Sequence, residues 1–183
     1  DSGDPARRHA STTHSDAAFI DIRRFADFNR LFGYIQGDRL IRDLSDMIQT
    51  SVVTPIGDAF LAHLGDDRFL LTSPAGRLTP ALRELMRAFD ARYAAENGAP
   101  MPMIPPAGRQ GPTSDIRVPV PAMTLRMLVL PNLFGRVGSV RDIYRIEQQL
   151  RQRSRRDEAA TPSNSVLIVD KRFDAPVAAR LSA

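Results

Sequence analysis

Short apolar runs alternate with segments of helical periodicity along the first half of this chain, and this alternation restricts the folds open to it. The run 17–22 is typical of a buried strand that carries one carboxylate near its end. Two helical segments follow, at 24–31 and after Asp38, the second with apolar residues recurring on one face. The apolar segments 58–63 and 68–72 then flank a Gly-Asp-Asp turn, a pattern that predicts a β-hairpin.

The second half of the chain continues this alternation. A helix is expected over 79–96, with Thr79 as its cap. A strand at 123–130, a helix over 139–153 and a strand at 165–169 follow, with a short terminal helix. The element order β-α-α-β-β-α-β-α-β predicts an α/β fold of the α+β sandwich type, with a central mixed β-sheet flanked by helices.

Proline density divides the chain. Seven of the fourteen prolines lie between Pro100 and Pro121. Because proline lacks a backbone N–H donor and has a fixed φ, we expect residues 98–121 to form a Pro-rich loop insertion. This insertion would lie within a single domain of residues 17–183. Residues 1–16 are polar and without periodicity, so we expect a linker or the remnant of a preceding segment.

The composition excludes several classes of protein. The chain has no cysteine, which excludes disulfides and thiolate metal sites. Its net charge of +4 comes without a dense basic stripe or interleaved aromatic residues, so no nucleic-acid surface is expected. No apolar run approaches the ~20 residues of a membrane span, and no signal peptide is expected. We expect a cytoplasmic domain, alone or as the cytoplasmic part of a larger or membrane-anchored protein.

Two motifs carry the functional signal. The first is a set of polar, aromatic and glycine residues at fixed spacing: Asp21, Phe25, Asn29, Gly33, Gly37, Asp38 and Leu40. They match, without a gap, the pattern D-x-D-x-F-K-x-x-N-D-x-x-G-H-x-x-G-D-x-L that opens GGDEF domains. The second motif, residues 65–69 (Gly-Asp-Asp-Arg-Phe), is similar to the family's Gly-Gly-Asp-Glu-Phe hairpin. The chain therefore resembles a GGDEF domain, the nucleotide-cyclase palm of bacterial cyclic-di-GMP signalling.

The resemblance implies a metal site at the end of the first strand. GGDEF domains hold Mg²⁺ through carboxylates, the hard oxygen ligands that this ion prefers. The matching positions make Asp21, Asp67 and the carbonyl of Ile22 the implied metal ligands. Because other contacts of the family are lost, any Mg²⁺ binding is expected to be weak.

The resemblance also implies a nucleotide site. Asn29 and Asp38 lie where the family recognises guanine, although Asp38 could instead cap the second helix. Phe25 and Gly65 complete the implied nucleotide contacts near the two motifs. Arg151 joins them through a weaker match in the second half of the chain.

The departures from the family pattern concentrate on catalysis. Arg68 replaces the signature glutamate, and Asp66 replaces the second glycine. Two phosphate-contacting lysines of the family correspond to Ala26 and Glu147, and the second aspartate of the opening pattern is Arg23. Losing these contacts removes the electrostatic stabilisation on which phosphoryl transfer depends, so no residue is assigned a catalytic role.

The family's product-inhibition motif is missing as well. Its arginine and aspartate would fall at Ile56 and Ala59, so the inhibitory cyclic-di-GMP site is expected to be absent.

The resemblance and the departures together predict a catalytically inactive GGDEF-type regulatory domain in bacterial cyclic-di-GMP signalling. Such a domain would bind GTP weakly and modulate an attached or partner protein, such as an EAL-type phosphodiesterase. Two alternatives stay open: a nucleotide-independent protein-interaction module, and a weakly active diguanylate or nucleotidyl cyclase. The full-length architecture, the partner and the formation of a homodimer are open at this point.

Overall fold

The computed structural model describes residues 15–93, 122–133, 139–160 and 164–171. The Pro-rich segment 98–121, nearly all of the expected N-terminal linker and the expected short terminal helix lie outside the described residues. The described elements follow the predicted order of strands and helices.

In the described part of the chain, five strands form one mixed sheet in the order β2-β3-β1-β4-β5. They are β1 (Ser15–Arg23), β2 (Phe60–Gly65), β3 (Arg68–Pro74), β4 (Thr124–Leu130) and β5 (Val166–Val169). The central strand β1 pairs antiparallel with β3 and β4, whereas β4 and β5 are parallel. β2 and β3 form the predicted hairpin. The predicted central mixed sheet flanked by helices is confirmed.

Within the described residues, four helices of two turns or more flank the sheet: α1 (Phe25–Phe32), α2 (Tyr34–Ile48), α3 (Leu78–Tyr93) and α4 (Val140–Ala160). The chain after α2 continues through a wide π-type turn, Gln49–Val53, and one further helical turn, Thr54–Ile56. Within the described residues, no helix is long and apolar enough to cross a membrane.

Two helix boundaries differ from the sequence-based expectation. α2 begins at Tyr34, because only Gly33, at φ 82°, separates it from α1. Asp38 therefore lies inside the helix, and the alternative that it caps a helix starting after it is wrong. α4 extends to Ala160 because its arginine-rich end favours helix and contains no proline before Pro162.

Both faces of the sheet are covered by apolar side chains. On one face, Ile20 of β1 packs in a core with Leu44 of α2 and residues of α3. On the other face, Phe19 packs in a core with Leu150 of α4. Because successive side chains of a strand point to opposite faces, Asp21 lies on the same face as Phe19, the one that α4 covers.

Candidate functional site

Asp21 lies near the end of β1, is buried, and has two cationic partners. Arg126 lies directly opposite it in the β1–β4 pairing, with Nη1 3.3 Å from the Asp21 carboxylate. Arg151 reaches it from α4, with Nη2 2.8 Å from Oδ2. The two guanidinium groups compensate for the burial of this carboxylate.

A second buried carboxylate extends this network along α4. Glu147 lies one turn before Arg151, and its Oε1 is 2.7 Å from the same Nη2 that contacts Asp21. Arg151 therefore bridges Asp21 and Glu147. Arg126 is the second arginine that pairs with Asp21.

The turn between β2 and β3 brings Asp67 to the end of β1. The chain reverses there through two residues with positive φ, Gly65 at 97° and Asp66 at 50°. Oδ2 of Asp67 accepts a hydrogen bond of 3.0 Å from the backbone N–H of Ile22. Burial raises the pKa of Asp67 above its ordinary value of 3.8, although hydrogen bonds from the backbone of Asp67 and of Ile22 act in the opposite direction.

Asn29 of α1 packs closely against Gly37 of α2. A Cβ atom at Gly37 would lie 1.9 Å from Oδ1 of Asn29, so this contact requires glycine. Oδ1 of Asn29 is buried and has no hydrogen-bond partner among the described residues. A buried acceptor without a partner is costly, and this one faces Gly37 in the contact between α1 and α2.

A cavity of about 790 Å³, here called the β1 cavity, opens where these elements meet. Six of the residues predicted from sequence line it: Asp21, Ile22, Phe25, Asn29, Asp67 and Arg151. Asp38 instead lines a separate cavity of about 520 Å³, together with His63. Asp66 borders both cavities, and Gly65 borders neither.

A family model described as "Diguanylate cyclase, GGDEF domain" matches residues 4–99, just over half of the chain. The chain belongs to the GGDEF family. No curated protein sequence gives a significant match.

Solved structures of GGDEF domains share this fold. The GGDEF domain of DgcB from Caulobacter crescentus, in complex with c-di-GMP, is 18% identical with a TM-score of 0.56, over 88% of this chain and 82% of that one. The active GGEEF domain of a diguanylate cyclase from Vibrio cholerae is 17% identical with a TM-score of 0.53, over 90% and 87%. Diguanylate cyclase SiaD from Pseudomonas aeruginosa, in complex with its activator SiaC, is 14% identical with a TM-score of 0.52, over 90% of this chain and 52% of SiaD. These similarities place the chain in the GGDEF fold.

A Mg²⁺ ion does not fit this GGDEF domain in the arrangement described. Asp21, one of the two implied carboxylate ligands, is engaged by the guanidinium groups of Arg126 and Arg151. Among the described residues, no group of three or more acidic or histidine side chains could hold a metal. Two unit charges ~4 Å apart interact by ~4 kcal/mol at an effective dielectric of ~20, and a dication doubles the repulsion from each guanidinium. Mg²⁺ would therefore have to displace both arginines.

Sequence reasoning did not assign Arg126 to the site of this GGDEF domain. The sequence does distinguish Arg126, because it is the one charged residue in the apolar strand Thr124–Leu130. The strand register that places it opposite Asp21 depends on tertiary structure. Arg24, Arg30 and Tyr34, which also line the β1 cavity, carried no signal beyond their nearness to the motif.

Proposed function

We propose that this GGDEF domain synthesises no cyclic-di-GMP and acts as a regulatory module in cyclic-di-GMP signalling. The observation that supports it is the engagement of Asp21 by Arg126 at 3.3 Å and Arg151 at 2.8 Å. A metal-dependent cyclase needs this carboxylate for its cation. Arg68 adds a further cation to the cavity wall, at the position of the family's signature glutamate. Phosphoryl transfer depends on metal ions placed to neutralise developing charge, and these substitutions oppose that arrangement.

A direct assay of product tests the loss of activity. The purified domain is incubated with GTP and either Mg²⁺ or Mn²⁺, and cyclic-di-GMP is measured by mass spectrometry. We expect no product above that of the heat-denatured domain, with an active GGDEF domain as the positive control. Turnover that Asp67→Ala abolishes would support the weakly active cyclase instead.

The proposed ligand is GTP, bound weakly in the β1 cavity. Asn29 lines this cavity, and its amide would turn from Gly37 so that Oδ1, which no described residue satisfies, accepts a hydrogen bond from the guanine N–H groups. Asn29→Ala is expected to weaken GTP binding by ~1–3 kcal/mol, measured by calorimetry.

Asp38 provides a sharper test of the guanine contact, because it lies inside α2 and lines the neighbouring cavity. If guanine reaches Asp38, Asp38→Ala weakens GTP binding by ~1–3 kcal/mol. Asp38→Asn keeps the size of the side chain but loses the charged acceptor, so it also weakens binding. Unchanged affinity in both variants would limit guanine recognition to the β1 cavity.

A second candidate function is a docking module that binds no nucleotide. Tyr34 and Ile35 are 79% and 69% exposed and adjacent at the start of α2, and neighbouring exposed apolar side chains are typical of protein contacts. The partner would be an attached or separate signalling protein, such as an EAL-type phosphodiesterase, or a second copy of the domain. This candidate takes first place if the wild-type domain shows no binding at any usable concentration of GTP.

A further inference from the structure

The Asp21 carboxylate in the wall of the β1 cavity is paired with cations of the protein itself. Arg126 and Arg151 hold Asp21, and Arg151 also holds Glu147. Guanidinium groups of the protein therefore supply the positive charge that a Mg²⁺ ion bound to this carboxylate would otherwise supply. A guanidinium group has five N–H donors, so it can also donate to phosphate oxygens without a bridging metal while it keeps its carboxylate partner.

Four more arginines line the β1 cavity. Arg23 donates to the carbonyl of Asn164, and an anion can recruit the other three, Arg24, Arg30 and Arg68. Arg24 and Arg30 are 58% and 74% exposed, and both pair with the single carboxylate of Asp27. Exposed pairs of this kind contribute little, so their arginines can exchange partners at small cost. The side chain of Arg68 makes no ion pair with any described residue. All three arginines line the cavity.

The acidic side chains of the cavity wall oppose an anion less than their number suggests. Asp21 is paired with the two arginines described above. Oδ2 of Asp67 accepts a hydrogen bond of 3.0 Å from the backbone N–H of Ile22, which compensates part of its negative charge. Asp66 remains as an exposed carboxylate that lines the cavity.

The size and the other walls of the cavity indicate a nucleotide. A volume of about 790 Å³ is within the range of small-molecule sites. Phe25, Asn29 and Tyr34 line it beside the arginines and provide apolar surface and an amide. The polyphosphate chain of a nucleotide would contact the arginines, while the base of the nucleotide would lie against these three residues.

We propose that the β1 cavity binds a nucleoside polyphosphate in its metal-free form, and that Mg²⁺ weakens this binding. This inference rests on the proposed GTP binding, and it specifies that the ligand is bound without Mg²⁺. Mg²⁺ removes two units of negative charge from a triphosphate, so the arginine cavity attracts the complex less than the free anion. The sign of the Mg²⁺ dependence is thus opposite to that of a metal-dependent nucleotide site.

Calorimetry with GTP, once in EDTA and once in excess MgCl₂ at equal ionic strength, tests this inference. We expect the dissociation constant in EDTA to be lower by about five-fold or more. Inorganic tripolyphosphate should compete with GTP in EDTA, and guanosine alone should bind more weakly than GTP. Binding that requires Mg²⁺ overturns the inference while leaving GTP as a ligand.

A matched pair of variants tests the role of Arg68. Arg68→Gln removes the arginine that has no ion pair, and we expect GTP affinity in EDTA to fall about five-fold, with little change in the presence of Mg²⁺. Arg83→Gln removes one exposed arginine of α3 that lines neither cavity, and it should leave the affinity unchanged. Equal losses in both variants would show a general charge effect and overturn the proposed site.

The proposed regulatory function is judged separately from this inference, by the assay of cyclic-di-GMP. Absence of GTP and tripolyphosphate binding in EDTA overturns the metal-free site but leaves a non-catalytic docking module. Production of cyclic-di-GMP overturns the regulatory proposal whatever the binding data show.

Discussion

β1 carries two buried aspartates, one near each end, and their partners differ in kind. Asp16 accepts hydrogen bonds from two backbone N–H groups, that of Gly76 at 2.7 Å and that of Asn132 at 2.9 Å. Asp21 is held by the guanidinium groups of Arg126 and Arg151. The two aspartates are almost equally buried, since Asp16 is 3% exposed and Asp21 is 5% exposed. The same residue type on the same strand is therefore stabilised by backbone dipoles at one end and by cations at the other.

The difference in partners indicates a structural role for Asp16 and a place in the candidate binding site for Asp21. The amides that hold Asp16 belong to the segments after β3 and β4, so this carboxylate fastens two connections to the central strand. Backbone donors are fixed by the fold and are not easily exchanged. Arg126 and Arg151, which hold Asp21, also line the β1 cavity, so an anionic ligand in the cavity would meet guanidinium groups there.

The largest expected effect is that of Asp21→Ala, which leaves two arginines without this carboxylate. Removing one partner of a buried ion pair costs 3–5 kcal/mol, and since both arginines are partly exposed we expect about 3 kcal/mol of unfolding free energy. Urea denaturation followed by circular dichroism measures it. The exposed Asp58 provides the control, with Asp58→Ala within ~0.5 kcal/mol of wild type. A loss below ~1 kcal/mol for Asp21→Ala would show that the network contributes little.

Asp16→Ala should cost less, about 2 kcal/mol, because water reaches the exposed Gly76 and the half-buried Asn132 and replaces part of the lost hydrogen bonding. Asp16→Asn keeps one acceptor oxygen and should cost roughly half as much. The same denaturation experiment measures both variants. If Asp16→Ala is more destabilising than Asp21→Ala, the backbone-bonded end of β1 is the more important one for stability.

A double-mutant cycle sharpens the comparison further. Asp21→Asn and Arg151→Gln should show a coupling energy of about 1–2 kcal/mol, since the two side chains share an ion pair. Asp21→Asn and Asp16→Asn serve as the control pair, because five residues along a strand separate them by ~16 Å. Their effects should add to within ~0.5 kcal/mol. Coupling in the control pair would mean that the two ends of β1 are not independent.

The smallest effect concerns Asp67, which like Asp16 accepts a backbone hydrogen bond but has a raised pKa. A carboxyl with a native pKa above the unfolded value of 3.8 stabilises the fold below that pH, and this contribution is lost as pH rises through the native pKa. Asp67→Asn should therefore gain stability relative to wild type as pH rises from the acid range to neutrality. Denaturation of both proteins across this range measures the difference, and a difference that is constant with pH would contradict the raised pKa.

Local patterns determined the element order, the mixed sheet and the position of the hairpin. Apolar periodicity and turn residues act over a few neighbours, so they are legible in the sequence, as the runs 17–22 and 165–169 show. The motif spacing likewise identified Asp21, Asn29 and Asp67, all of which line the β1 cavity. The start of α2 was misplaced because Gly33 alone separates two helices, and one glycine is weak evidence for a boundary.

Tertiary structure alone decided the partners of each carboxylate. Arg126 lies 105 residues after Asp21, and only the register of β4 against β1 places the two opposite each other. Asp16 was assigned to a linker because its amide partners lie 60 and 116 residues away and leave no local trace. Long-range pairing depends on how strands align, and a shift by one residue turns every side chain to the other face of the sheet. The sequence therefore determined which acids are present at the end of β1, and the fold decided that arginines neutralise Asp21.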